Sequence, residues 1–133
     1  RMFAHLTIAT RDVPGTSKFF QQTLGWKPVR MAGNVDIEAD WLQVAAGENG
    51  QLSQQVHILG IEGFEPSPFE AEFGRHFAFF HSGADFKALK QRISDAGGEL
   101  VDAIRETPFQ RFFFRDPNGY MFEVIDRDGY VVE

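Results

Sequence analysis

Three of the four histidines and one glutamate occupy matching places in the two halves of this 133-residue chain. His5 and His76 each begin an apolar run that is typical of a β-strand. His57 and Glu123 each lie in the last such run of their half. Imidazole nitrogen and carboxylate oxygen are ligands that suit Zn, Ni, Fe, Co or Mn. These four residues are therefore candidate ligands of a divalent metal ion.

The composition narrows the classes of function. A net charge of −6 and a pI near 5.2 argue against a surface for nucleic acid or for anionic membranes, which requires clustered lysine and arginine. The cysteine count is 0, so any metal must be held by nitrogen and oxygen. The sequence shows neither a charged-then-apolar leader nor a long apolar stretch, and a cytoplasmic location is therefore the expectation.

The first half predicts the element order β-α-β-β-β. A strand over residues 2–9 is followed by Asp12, a plausible helix cap, and by a helix that runs to Leu24 and ends at Gly25. Three further runs have strand character, and turn residues such as Gly33-Asn34 and Gly47-Glu48-Asn49-Gly50 separate them: 26–31, 37–45 and 52–59.

The second half predicts the same order after a polar segment that contains Pro66 and Pro68. The expected elements are a strand at 76–81, a helix with Phe86, Leu89 and Ile93 on one stripe, and strands near 99–104, 109–115 and 120–126. The predicted class is therefore α+β, with two βαβββ modules at about 1–60 and 75–127 and a linker at about 61–74.

Two segments resemble the vicinal oxygen chelate superfamily, which includes glyoxalase I, extradiol dioxygenases, fosfomycin-resistance transferases and bleomycin-resistance proteins. The segment from His5 to Trp26 is similar to its opening module. The end segment Phe114 to Glu123, with its Asp-Pro-Asn-Gly turn, is similar to its most characteristic stretch. The resemblance implies that residues 1–133 form a single glyoxalase-like domain, in which the two modules make a cupped mixed sheet.

The resemblance also implies a metal site. Its ligands would be His5, His57, His76 and Glu123, holding one divalent ion (Zn, Ni, Fe, Co or Mn), with Glu123 as the catalytic base. Side chains alternate between the faces of a strand, so Gln55 shares a face with His57 and is an alternative ligand if the register is shifted by two. His81 is out of phase with His76, and we interpret it as a surface or interface residue.

Glyoxalase I is the member that the chain resembles most in module order and ligand spacing. The predicted function is therefore a metal-dependent lyase or isomerase that chelates adjacent oxygens of a small substrate and promotes proton transfer through an enediolate. Ala9 stands where typical glyoxalases carry an arginine for glutathione, so weak turnover of glutathione adducts is expected. The resemblance also favours a homodimer, and the acidic net charge argues against nucleic acid and membranes as partners.

Three alternatives remain open at the level of sequence. They are an Fe(II) extradiol dioxygenase, a metal-dependent resistance transferase and a bleomycin-type drug-binding protein without catalysis. Trp41 and Arg111 are candidate pocket residues by residue type alone. The Phe112-Phe113-Phe114 run is interpreted as strand core with one exposed ring, and the acidic residues near the linker as solubilising: Glu62, Glu65, Glu70 and Glu72.

Overall fold

Two βαβββ units follow each other along the chain in the computed structural model, which describes residues 2–47 and 52–133. The first unit ends at Phe64, and the second spans Glu65–Glu133. The predicted α+β class with two such modules is confirmed. The predicted turn at Gly47-Glu48-Asn49-Gly50 lies mostly outside the described residues.

The first unit is a mixed sheet with one helix against it. Its four strands stand in the order β1-β4-β3-β2, with β1 parallel to β4 and the other pairs antiparallel. Alternation places Ile8, Val56 and Ile58 in the buried core, whereas their neighbours face the opposite side of the sheet. The elements are β1 (His5–Thr10), α1 (Val13–Leu24), β2 (Lys27–Pro28), β3 (Ala39–Ala46) and β4 (Ser53–Gly60).

Helix α1 begins and ends where the sequence predicts. The Asp12 carboxylate accepts a hydrogen bond of 3.0 Å from the Gly15 N–H, one of the helix-start donors without an intrahelical acceptor. Gly25 closes the helix with φ at +68°, a conformation that costs glycine little because it has no Cβ. Phe19 and Phe20 are buried against the sheet, as their helical spacing indicates.

The second unit repeats this arrangement. Its sheet has the order β5-β8-β7-β6, with β5 parallel to β8 and the other pairs antiparallel. A short 3₁₀ turn at Gly83–Asp85 leads into its helix. Neither helix within the described residues is long and apolar enough to cross a membrane. The elements are β5 (Phe77–His81), α2 (Phe86–Asp95), β6 (Glu99–Val101), β7 (Arg111–Arg115) and β8 (Met121–Asp126).

All three rings of the Phe112-Phe113-Phe114 run are buried, so the expectation of one exposed ring is wrong. Phe112 faces the helix and meets Phe86 edge to face at 5.1 Å. Phe113 points to the opposite side of the sheet, where polar side chains cover it. The Arg111 guanidinium lies 5.3 Å from the centre of its ring, and the His76 ring lies at 5.3 Å.

Strands β2 and β6 are shorter than their sequence patterns predict. Strand β2 is an edge strand that pairs with β3 only at Lys27 and Pro28. Beyond β6, the N–H groups of Ile104 and Arg105 donate to the Glu72 carboxylate instead of to a neighbouring strand. The segment after Val101 is therefore organised by a side chain rather than by the sheet.

Candidate metal centre

The strand register aligns the two units residue by residue. Thr7, two residues after His5, pairs with His57, and Ala78, two residues after His76, pairs with Glu123. His57 and Glu123 therefore hold equivalent positions in the two sheets. Gln55 pairs with His5, two residues before the pair of Thr7 and His57. The register therefore lacks the two-residue shift that would put Gln55 in the place of His57.

The candidate ligands of the first unit form a stack of rings on the face opposite α1. The His5 and His57 rings lie 3.9 Å apart at 12°, and Trp41 stacks on the other face of His57 at 4.0 Å and 4°. His57 Nε2 is 2.8 Å from Gln55 Oε1, an acceptor, so Nε2 donates and Nδ1 keeps its lone pair. Because the two histidine rings are nearly parallel, they must reorient to bind one ion together.

Burial lowers the pKa of His57, and the positive charge of His5 when protonated lowers it further. Both causes disfavour the imidazolium form. A metal binds only the neutral ring, so this environment keeps His57 in a form that can act as a ligand at neutral pH.

The candidate ligands of the second unit face each other directly. His76 Nε2 lies 3.2 Å from Glu123 Oε1. His76 Nδ1 lies 3.2 Å from the backbone oxygen of Ala71, which can only accept, so Nδ1 carries a proton. In the neutral ring, Nε2 then directs a lone pair at a carboxylate oxygen. Two acceptors in this position need a proton or a cation between them.

A divalent transition metal fits this pair. Bonds of about 2.0–2.2 Å from nitrogen and oxygen to one ion place two neighbouring ligand atoms roughly 3 Å apart. A backbone carbonyl on the remote nitrogen of a ligand histidine is also a common arrangement, because it fixes the tautomer and the ring orientation. The donor types and the tautomer of His76 therefore match those of a metal ligand.

The second oxygen of Glu123 is bound by a buried arginine. Arg111 Nη1 is 3.2 Å from Glu123 Oε2, and Arg111 Nη2 is 3.1 Å from Glu72 Oε2. The side chains of Arg111 and Glu72 are only 3 % and 8 % exposed. Glu72 also accepts hydrogen bonds from the N–H groups of Ile104 (2.6 Å) and Arg105 (2.9 Å).

The interpretation of Glu70 and Glu72 as solubilising linker residues is wrong. Burial alone would raise the pKa of Glu72, but the hydrogen bonds from Ile104, Arg105 and Arg111 outweigh it and lower the pKa. Glu70 is also buried and forms an ion pair of 2.6 Å with Arg75. One signal was available in the sequence. Arg111 directly precedes an apolar strand run, and an arginine that a strand buries requires a nearby carboxylate.

His81 is occupied away from these contacts. Its Nε2 lies 2.8 Å from Asp85 Oδ2, and Arg92 Nη2 lies 2.8 Å from the same oxygen. Arg92 first and His81 second lower the pKa of Asp85 to about 2. This cluster lies at the start of α2, and its histidine points away from the face that carries Glu123, as the alternation of β5 predicts.

Each unit thus brings together two of the four candidate ligands. Within either unit, the residues that the structure describes contain no group of three or more His, Asp or Glu side chains that could hold a metal. Arg11 and Arg111 are cations that could replace the anchor missing at Ala9, but the structure engages both with other groups of the chain. Arg11 Nε donates to the Phe64 carbonyl at 2.6 Å, and Arg111 is buried between carboxylates.

Comparison with known proteins places these features in a family. Glyoxylase I 4 of Arabidopsis thaliana is 24 % identical over 134 residues, which cover 96 % of this chain and 72 % of that protein. Glutathione transferase FosA of Serratia marcescens is 27 % identical over 120 residues, covering 90 % of this chain and 77 % of that protein.

Solved structures share the fold. A point variant of the fosfomycin resistance protein FosX of Listeria monocytogenes, complexed with Mn(II) and 1S,2S-dihydroxypropylphosphonic acid, superposes with a TM-score of 0.74 at 15 % identity, covering 94 % of this chain and 91 % of that one. The model of the Glyoxalase/Bleomycin resistance protein/Dioxygenase superfamily matches residues 2–124. The chain belongs to this superfamily, also known as the vicinal oxygen chelate superfamily.

Proposed function

We propose that this protein is a divalent-metal-dependent lyase or isomerase that acts on a small substrate with two adjacent oxygens. The proposed ligands are His5, His57, His76 and Glu123. The observation that carries the proposal is the pair His76 and Glu123, whose Nε2 and Oε1 atoms lie 3.2 Å apart. This arrangement costs free energy unless a proton or a cation lies between the atoms, and a metal-binding family makes the cation the better explanation.

When bound, a divalent ion supplies Lewis-acid polarisation of the substrate's oxygens. Glu123 is the only carboxylate among the proposed ligands, so its Oε1 is the proposed acceptor of a proton from the carbon next to a chelated carbonyl. Arg111 occupies Oε2 and leaves Oε1 for this role. His57, whose pKa is lowered by burial, completes the proposed ligand set from the first unit.

A second candidate is a metal-dependent resistance enzyme that adds a nucleophile to a small electrophile. The relative named glutathione transferase FosA supports it, at 27 % identity over 90 % of this chain. The Arg111–Glu123 ion pair also favours it, because a carboxylate held at one oxygen by a buried guanidinium is better suited to be a fixed ligand than a mobile base. In that case Glu123 would hold the ion, and no proton would move to it.

Metal binding is the first test. Metal-free protein would be titrated with Co²⁺, Mn²⁺, Ni²⁺ and Zn²⁺ by calorimetry. One ion per site is expected, and Glu123→Ala is expected to lose most of the affinity. His81→Ala is the matched control and should lose little, since His81 pairs with Asp85 instead. The ligand assignment fails if Glu123→Ala keeps the metal, or if His81→Ala loses it equally.

Substrate assays then separate the two functions. The lyase proposal predicts isomerisation of small α-hydroxycarbonyl compounds that stops with a chelator and returns with metal. The resistance proposal predicts instead that fosfomycin is consumed with glutathione or water. Oxygen uptake with catechols and Fe(II) would support the dioxygenase alternative and contradict both.

A further inference from the structure

We propose that Arg111 is a positioning residue of the metal centre, acting through Glu123, with Glu72 as its anchor. The inference rests on the proposed function, since it concerns a proposed ligand. Arg111 contacts neither substrate nor ion in this proposal. Its role is to hold Glu123 Oε2, so that Glu123 presents a single oxygen, Oε1, beside His76.

The contacts fix the guanidinium from several sides. Nη1 reaches Glu123 Oε2 at 3.2 Å, Nη2 reaches Glu72 Oε2 at 3.1 Å, and Nη2 also donates to the Arg105 carbonyl. The central carbon of the guanidinium lies over the Phe113 ring, 5.3 Å from the ring centre. A planar group with fixed donors, held in this way, defines the orientation of the carboxylate that it binds.

Glu72 is anchored independently of Arg111. Its two oxygens accept the N–H groups of Ile104 and Arg105, at 2.6 Å and 2.9 Å. The carboxylate is thereby tied to the backbone that follows β6. The chain of contacts therefore runs from this backbone through Glu72 and Arg111 to Glu123, and each link is a hydrogen bond to a charged group.

The first unit shows that the fold does not require this arginine. Arg111 pairs with Ile125, two residues after Glu123, and Ala39 pairs with Leu59, two residues after His57. Ala39 is thus the counterpart of Arg111 in an equivalent sheet. The arginine occurs in the unit whose last strand carries the carboxylate ligand, and alanine occurs in the unit whose last strand carries the histidine.

The buried contacts of Arg111 are also not those that would stabilise the fold most. Arg111 Nε is buried, and it has no hydrogen-bond partner among the described residues. A buried donor without a partner destabilises the folded state, and buried ion pairs are often replaceable by apolar side chains without loss. A guanidinium that remains in this place despite these costs is better explained by what it does to Glu123.

The test uses the metal alone as a probe and a variant whose charge is balanced. Arg111→Met by itself leaves two buried carboxylates together, which could attract an ion or unfold the unit. The double variant Arg111→Met/Glu72→Gln removes one positive and one negative charge. Arg92→Met is the matched control, because Arg92 lies in the same unit and pairs with Asp85, away from the face that carries Glu123.

Three quantities would be measured for each variant: the melting temperature without metal, the affinity for Co²⁺, and the visible absorption spectrum of bound Co²⁺, which reports ligand geometry. The double variant should bind Co²⁺ about 10- to 100-fold more weakly, the range typical of lost outer contacts to a ligand, with an altered spectrum. Arg92→Met should match the wild type in affinity and in spectrum. Arg111→Lys, which keeps the charge without the planar fork, should lie between.

The outcomes are distinct. A folded double variant with wild-type affinity and spectrum would overturn the role of Arg111 while leaving the metal site intact. If the double variant does not fold, Arg111→Lys decides, because a wild-type Co²⁺ spectrum in that variant would contradict positioning by the planar guanidinium. Absence of Co²⁺ binding in the wild type would instead refute the proposed function on which the inference rests.

Discussion

Each of the proposed ligands whose contacts the structure details is oriented by a neighbour of a different kind. Gln55 holds His57 through a side-chain amide, the Ala71 carbonyl holds His76, and a guanidinium holds Glu123. Partners of this type set the tautomer and the direction of a ligand before a metal binds. The two histidines have opposite nitrogens engaged, since Gln55 takes Nε2 of His57 and Ala71 takes Nδ1 of His76. We therefore expect His57 to bind through Nδ1 or to release Gln55.

The fluorescence of Trp41 offers a direct signal for metal binding at His57. It stacks on His57 at 4.0 Å, whereas Trp26 is buried on Phe20 at 4.8 Å. Binding of Co²⁺ or Ni²⁺, whose open d shells quench nearby fluorophores, should reduce tryptophan emission in the wild type and in Trp26→Phe. Trp41→Phe should lose most of that response. Equal quenching in Trp41→Phe would show that the ion binds away from His57.

At the residue scale, alternation along strands predicted which face a side chain occupies, but it did not predict which groups that side chain contacts. The shared face of His5 and His57 follows from a period of two, and the register of β1 with β4 agrees with it. The partners that orient the ligands did not follow. Glu72 reaches Arg111 from a segment without regular structure, where neither helix nor strand periodicity indicates which side chain is buried.

At the scale of elements, local signals predicted the order and the approximate bounds of helices and strands. Asp12 and Gly25 delimit α1, and the stripe of Phe86, Leu89 and Ile93 is the buried face of α2. The ends of β2 and β6 were harder to predict. The end of β6 depends on the Glu72 carboxylate, which is distant in sequence and leaves no local signal.

The turn between β7 and β8 should make stability depend on pH. Burial raises the pKa of Asp116 to about 6 from 3.8, although hydrogen bonds from Asn118 and Tyr120 oppose the rise. The folded state therefore binds more protons than the unfolded state between these values. The contribution of Asp116 to stability is fully present below pH 3.8 and is lost as pH rises through 6, by at most roughly 3 kcal/mol.

Asp116→Asn removes the titrating group, so its unfolding free energy should vary less than that of the wild type between pH 4 and about 6. Denaturant unfolding at a series of pH values would measure the difference between the two proteins. Asp102→Asn, at an exposed position after β6, is the control and should follow the wild type. Parallel curves for Asp116→Asn and the wild type would show that Asp116 titrates alike in both states.

At the scale of the whole molecule, both arginines that could anchor a substrate are bound to other groups of the chain. We therefore expect weak binding of substrates that carry glutathione. Ala9 replaces the expected glutathione anchor, and Arg11 and Arg111 are bound to other groups of the chain. A lost hydrogen bond to a charged group costs about 1.5–3 kcal/mol, or roughly ten- to a hundredfold in binding. We expect Ala9→Arg to lower KM for the methylglyoxal–glutathione adduct if the wild type turns it over weakly. Efficient turnover by the wild type would contradict this expectation.

The surface favours a homodimer. Phe69, Phe73 and Ile104 are 73 %, 71 % and 72 % exposed in the described chain. Covering these side chains with a second copy of the chain would remove apolar surface from water, which stabilises a dimer. Sedimentation at micromolar concentration should therefore give a dimer, and a monomer at that concentration would refute the proposal.

A dimer raises the question of which chain supplies each pair of ligands. Each unit carries two of them, so a site can draw His5 and His57 from one chain and His76 and Glu123 from the other. Two defective variants, His5→Ala and Glu123→Ala, would be unfolded together in equal amounts and refolded. With sites shared between chains, each mixed dimer contains one intact ligand set, so roughly a quarter of wild-type Co²⁺ binding should return. If every site lies within one chain, mixing restores nothing, because no chain in the mixture carries all of the ligands.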